Sequence, residues 1–117
     1  MSINQYKSEK IINFPDGSSL KAKMSMNTMM EIESAIGCSL LKLGRRIQQE
    51  ELTIEQTIIL IELSVRGGGN DVDSKLIRQK LSKMQYAQII ALAGELVALA
   101  LNVNSDEELS DEKKNIT

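Results

Sequence analysis

The chain has 117 residues, a net charge of −2, no histidine, one cysteine and three aromatic residues. Those totals exclude an intrachain disulfide, a multi-cysteine zinc centre and the usual imidazole general base. With no basic excess and an aromatic share of 3%, they also argue against a phosphate-backbone binder or a base-stacking platform.

The polar N-terminus, MSINQYKSEK, lacks the apolar core of a secretion signal, so the expected setting is cytosolic. The stretch KIINFPDGSSLKAKMSM, residues 10–26, reads as a β-hairpin. Pro15, Asp16 and Gly17 form the turn: proline presets φ, aspartate favours turns and glycine accepts positive φ. Ile12 and Phe14 share one face before the turn, with Ile11 opposite. After it, Leu20, Ala22, Met24 and Met26 alternate with Lys21, Lys23 and Ser25, as in a half-buried strand. An isolated hairpin is barely stable, so this one must lie on the helices or pair with another sheet edge.

The period then changes to that of a helix. Asn27 or Thr28 can cap it, and Thr28 with Glu31 fits a capping box. Met29, Ile32 and Ile36 form its inward stripe, Met30 sits at the stripe's edge, and Gly37 stops it. A short helix over about Ser39 to Gln49 turns Leu40, Leu43 and Ile47 inward and Lys42, Arg45 and Arg46 outward. The segment LTIEQTIILIELSVRGGG opens with a Thr53/Gln56 capping box. It carries an Ile54, Ile58, Ile61, Val65 stripe widened by Ile59, Leu60 and Leu63, which marks a central helix. Gly67, Gly68 and Gly69 read as its terminator. Asn70, Asp71 or Asp73 caps SKLIRQKL. A Ser82/Gln85 box, with Leu81 stapled onto Tyr86, opens the last helix, from about Lys83 to Leu101. That helix is too interrupted by polar residues for a bilayer span. The remaining residues are acid-rich and lack apolar periodicity.

The expected fold class is therefore α+β, mostly α: an N-terminal β-hairpin followed by four or five short-to-medium helices. Residues 1–102 form one domain, and 103–117 an acidic disordered tail.

No catalytic, cofactor or metal constellation stands out. RGGGND lacks the strand and Lys-Ser/Thr pair of a phosphate loop. Starting a calcium loop at Asp71 puts Ser82 where a bidentate glutamate is required. Cys38 has no histidine to activate it and reads as a small packing residue. Glu31 and Glu33 stand two apart and do not share a helix face. A helix–turn–helix with Lys75, Arg78 and Lys80 on its reading helix is the DNA-binding alternative, although its connector exceeds the usual three or four residues.

The run MSMNTMMEIESAIGCSLLKLGRRI resembles the start of a small tail-assembly family of gene transfer agents and tailed phages. The resemblance is carried by Asn27, Met30, Glu31, Glu33, Gly37, Ser39, Leu40, Leu43, Arg46 and Ile47. It extends through LTIEQTIILIELSVRGG and the alanine- and leucine-rich YAQIIALAGELVALAL, covering about residues 8 to 102. It implies a non-enzymatic role in building a phage or gene-transfer-agent tail; together with the composition and the polar N-terminus, the expectation is a protein of the bacterial host cytoplasm without cofactor, nucleic acid or membrane. Two roles go with the family. One is a chaperone that shields apolar helices of the tape-measure protein, sometimes with a longer frameshifted product. The other is a structural tail tube subunit retained in the particle. One hairpin offers little sheet for building a tube ring, which favours the chaperone.

Methionine-rich surface suits adaptable apolar contacts. The last helix carries apolar residues on nearly every face: Ile89, Ile90, Leu92, Leu96, Val97, Leu99 and Leu101. With Met30, these are the candidate contacts for a tape-measure or other tail protein, or for a second copy of the chain. A helix-in-groove contact would space its anchors by three and four residues.

Overall fold

In a computed structural model the chain is described over residues 8–116, with side chains described for residues 8–102. The expected hairpin-plus-helices architecture is the one observed. Strands β1 (Glu9–Asn13) and β2 (Ser19–Lys23) precede α1 (Met26–Ile36), α2 (Leu40–Gln48), α3 (Ile54–Gly67), α4 (Ser74–Leu81) and α5 (Tyr86–Ile116). The expectation of a disordered acidic segment at 103–117 falls outside the residues whose side chains are described.

The hairpin is antiparallel, with Lys10 opposite Ala22 and Ile12 opposite Leu20. Its turn forms as the PDG signal implies. Gly17 takes φ +89°, and Phe14 N–H donates to the Ser18 carbonyl at 2.9 Å. Ile12, Phe14, Ala22 and Met24 are buried, while Ile11 is 55% exposed. The strand ends at Lys23, so the alternation expected to continue to Met26 stops short. Ser25 is extended and caps α1, its hydroxyl accepting from Thr28 N–H at 3.2 Å. The cap is therefore Ser25 and not Asn27 or Thr28. Thr28 is buried, its hydroxyl 3.0 Å from that of Ser25.

Helix α3 is the hub, packing on β2, α1, α4 and α5. Its Thr53/Gln56 capping box is present in both directions. The buried face differs from the all-apolar stripe expected. Ile54 is 41% exposed, and Thr57 and Ser64 lie fully buried beside Leu60, Ile61 and Val65. Burial of these hydroxyls is tolerable because each donates back one turn, Thr57 to the Thr53 carbonyl and Ser64 to the Leu60 carbonyl, both at 2.8 Å. A satisfied hydroxyl escapes most of the desolvation penalty.

The glycines at the end of α3 are a docking surface as well as a stop. A Cβ at Gly67 would overlap the Thr28 hydroxyl and crowd the Lys23 carbonyl, and one at Gly68 would overlap the Lys21 carbonyl. Asn70 Nδ2 closes the junction, donating to the Lys21 carbonyl at 2.6 Å and the Val65 carbonyl at 3.0 Å. The outer edge of β2 is thus covered. β1 has no further strand beside it among the described residues.

Helix α4 is capped by Asp73 and is tied down by charge. Arg78 makes a bidentate pair with Glu55, at 3.0 and 2.8 Å, and reaches Glu62 at 2.8 Å; Glu62 also accepts from Ser74. The pairing raises the Arg78 pKa and lowers that of Glu55, the hydrogen bonds between the two being the leading cause for each. The expected Ser82/Gln85 box is absent. Ser82 ends α4, and α5 starts at Tyr86, with the Gln88 side chain accepting from Gln85 N–H at 2.9 Å. Tyr86, expected to staple onto Leu81, is 61% exposed, whereas Leu81 is buried.

Candidate functional site

The eight predicted contact residues divide sharply. Ile89, Leu92, Leu96 and Val97 are buried in the core beneath α2 and α3. α5 is therefore a central helix of the folded chain, and its inner face is occupied. Ile90, Leu99 and Leu101 are half-buried. Met30 stands apart from all of these on α1, 60% exposed. The structure does not gather the eight into one patch.

It builds two smaller apolar surfaces instead. The first follows from where α1 starts. Because Ser25 is the cap, Met26 is the first helical residue and lies one turn before Met30. Residues four apart share a helix face. Met24 and Met29 turn inward, to 1% and 8% exposure, while Met26 and Met30 turn outward, to 67% and 60%. Beside Met30 a shallow groove runs between α1 and α3, lined by Asn27, Glu31, Ser34, Ala35 and Leu63. The four clustered methionines thus split evenly between packing and display.

The second surface is a groove of about 500 Å³ where α2, the α2–α3 loop and the start of α5 meet. It is lined by Ile47, Leu52, Tyr86, Ala87 and Ile90, with Glu50 at the rim. Its loop is built by a helix-ending turn. Glu50 N–H donates to the Ile47 carbonyl at 3.2 Å and Glu51 N–H to the Arg46 carbonyl at 2.8 Å. This places Glu50 at φ +59°, the left-handed position that usually takes glycine. Of the predicted contacts only Ile90 belongs here.

Sequence reasoning missed Met26, Leu63, Leu52 and Tyr86. For Met26 the signal was present: starting the helix at Ser25 pairs it with Met30. The others meet their neighbours across distant elements, which no local pattern encodes.

No group of three or more His, Cys, Asp or Glu residues is placed to hold a metal among the described residues. The would-be DNA-reading helix has committed two of its three cations, Arg78 to Glu55 and Glu62 and Lys80 to Asp16. No helix among the described residues is long and apolar enough to cross a membrane.

Residues 10–103 match the family described as phage tail tube protein, GTA-gp10. The chain belongs to that family. It is therefore a protein of phage or gene-transfer-agent tails, as the run from Met24 to Ile47 led one to expect. No curated protein and no solved structure matches the chain. Glu33, Gly37, Ser39 and Leu40, which carried the resemblance, have a physical use here. Gly37 ends α1 at φ +88°, Ser39 caps α2, and the Glu33 carboxylate accepts from Leu40 N–H at 2.9 Å. Together they fix the corner between α1 and α2.

Proposed function

We propose that this tail protein acts during assembly as a chaperone, holding apolar helical segments of the tape-measure protein until the tube forms around them. The observation that carries this reading is the pair Met26 and Met30, exposed one turn apart, with Met30 lining the groove that Leu63 borders. Unbranched, polarizable side chains displayed in this way adapt to many apolar partners, as a long and variable helical client requires. The groove holding Ile90 provides a second apolar contact of the same kind. The client is bound as a helix presenting anchors at three- and four-residue intervals. The protein works in the bacterial host cytoplasm and performs no chemistry.

A second reading, a structural tube subunit, is favoured by the family's description and by the outer edge of β1, which has no strand beside it among the described residues. Strand addition at such an edge is a general route to assembly. Quantitative protein analysis of purified particles separates the two. A chaperone is depleted from finished particles, whereas a tube subunit is present in many copies per tail. Abundant incorporation of this chain would overturn the chaperone reading.

A further inference from the structure

We propose that the acidic C-terminal segment of one copy docks on the exposed basic face of α2 in a second copy, linking copies head to tail. This contact is separate from the apolar surfaces proposed for the client, and its test involves no client.

The distribution of charge points to it. Over residues 8–102, eleven lysines and arginines balance eleven carboxylates. The negative charge of the chain sits at its end, where residues 103–117 carry five carboxylates, Asp106, Glu107, Glu108, Asp111 and Glu112, against two lysines. The outward face of α2 is its complement. Lys42, Arg45 and Arg46 lie within five residues, and none of them has an ion-pair partner among the described residues. Leu41, 65% exposed, stands next to Lys42. Leu109 stands among the acids in sequence as Leu41 does among the bases.

Direction selects a second copy over the chain's own α2. Val97 and Leu101 lie over Gly44, and Ile47 lies over Gly94, so α5 runs antiparallel to α2 and leaves it near its beginning. α5 is a helix to Ile116. At about 1.5 Å per residue, Glu108 lies roughly 10 Å beyond Leu101 along that axis, with Arg45 of the same copy behind it. Repeated head to tail the contact gives rings or open chains; exchanged reciprocally between two copies it closes a two-fold dimer.

Sedimentation velocity of the full chain over a concentration series tests this. Self-association is expected, weakening by about tenfold or more between about 50 mM and about 500 mM salt, as contacts between exposed charges do. Lys42→Glu with Arg45→Glu abolishes it, as does Glu108→Lys with Glu112→Lys. All four substitutions in one chain restore it. These positions are exposed or terminal, and circular dichroism confirms that each variant is folded. A chain that stays monomeric throughout, reversals without effect, or a fourfold variant that fails to recover would each overturn the proposal.

Discussion

Lys80 Nζ lies 3.1 Å from Asp16 Oδ2 and 2.6 Å from Ser18 Oγ, joining α4 to the hairpin turn across 64 residues of sequence. The same ammonium stands 5.6 Å from the centre of the Phe14 ring. One cation thus holds the turn, and through it the hairpin, against the helical body. Asp16 is held well below the usual carboxylate range, first by the Ser18 hydroxyl, then by Ser18 N–H and by Lys80.

The pH dependence follows from that direction. A carboxylate with a depressed folded pKa stabilises fully above its unfolded value, about 3.9. It loses that contribution as pH falls through the folded value. The urea midpoint of the chain is therefore expected to fall as pH drops below about 4. In Asp16→Asn the midpoint is lower at neutral pH and the acid-induced drop is smaller. An unchanged drop would remove Asp16 from the account.

Gly68 has an ordinary φ of −78°, so the need for glycine there is one of space. Gly68→Ala is expected to cost about 1–3 kcal/mol, the range for forcing atoms into a packed site, because its Cβ meets the Lys21 carbonyl. Gly69→Ala, with open space but φ +88°, costs about 0.5–1 kcal/mol, the left-handed penalty less the unfolded-chain entropy that alanine removes. Urea titration of both variants checks the difference in cause. Adding Lys21→Ala should leave the Gly68 penalty intact, because the obstacle is backbone.

Glu50 occupies a left-handed position without being glycine. Glu50→Gly is expected to raise stability by about 0.5–1 kcal/mol, the left-handed penalty less the entropy that glycine adds to the unfolded chain. If the groove it borders takes a client, the same substitution should weaken client binding while stabilising the fold. Paired thermal-shift and titration measurements would show this opposition. A variant that gains stability with no change in binding would take Glu50 out of the contact surface.

Much of the fold was legible because its signals are local. The Pro15–Gly17 turn, the Thr53/Gln56 box and the inward stripe through Met29 and Ile32 depend on neighbours within one turn of chain. The errors lie where a pattern was carried past its boundary or where a distant partner decides the outcome. Met26 continues the strand's alternation in sequence, but Ser25 has already begun the helix. Thr57 and Ser64 interrupt the apolar stripe of α3, yet are buried because the preceding turn satisfies them. Glu33 finds its partner at Leu40 N–H, around a corner, and Gly67 and Gly68 find theirs on α1 and β2. The candidate contact surface was the least legible part. A helix apolar on nearly every face, as α5 is over residues 89–101, has the same sequence pattern whether its neighbours come from its own chain or another. Here they are α2 and α3, which bury Ile89, Leu92, Leu96 and Val97 and leave the display to α1.

The most direct test replaces the two displayed methionines together, Met26→Glu with Met30→Glu. Both side chains are exposed, so stability should change by less than about 0.5 kcal/mol. Binding of apolar helical tape-measure segments, followed by calorimetry, should weaken by about tenfold or more, equivalent to about 1.4 kcal/mol or more. A folded double variant that captures those segments as tightly as the original chain would contradict the central claim.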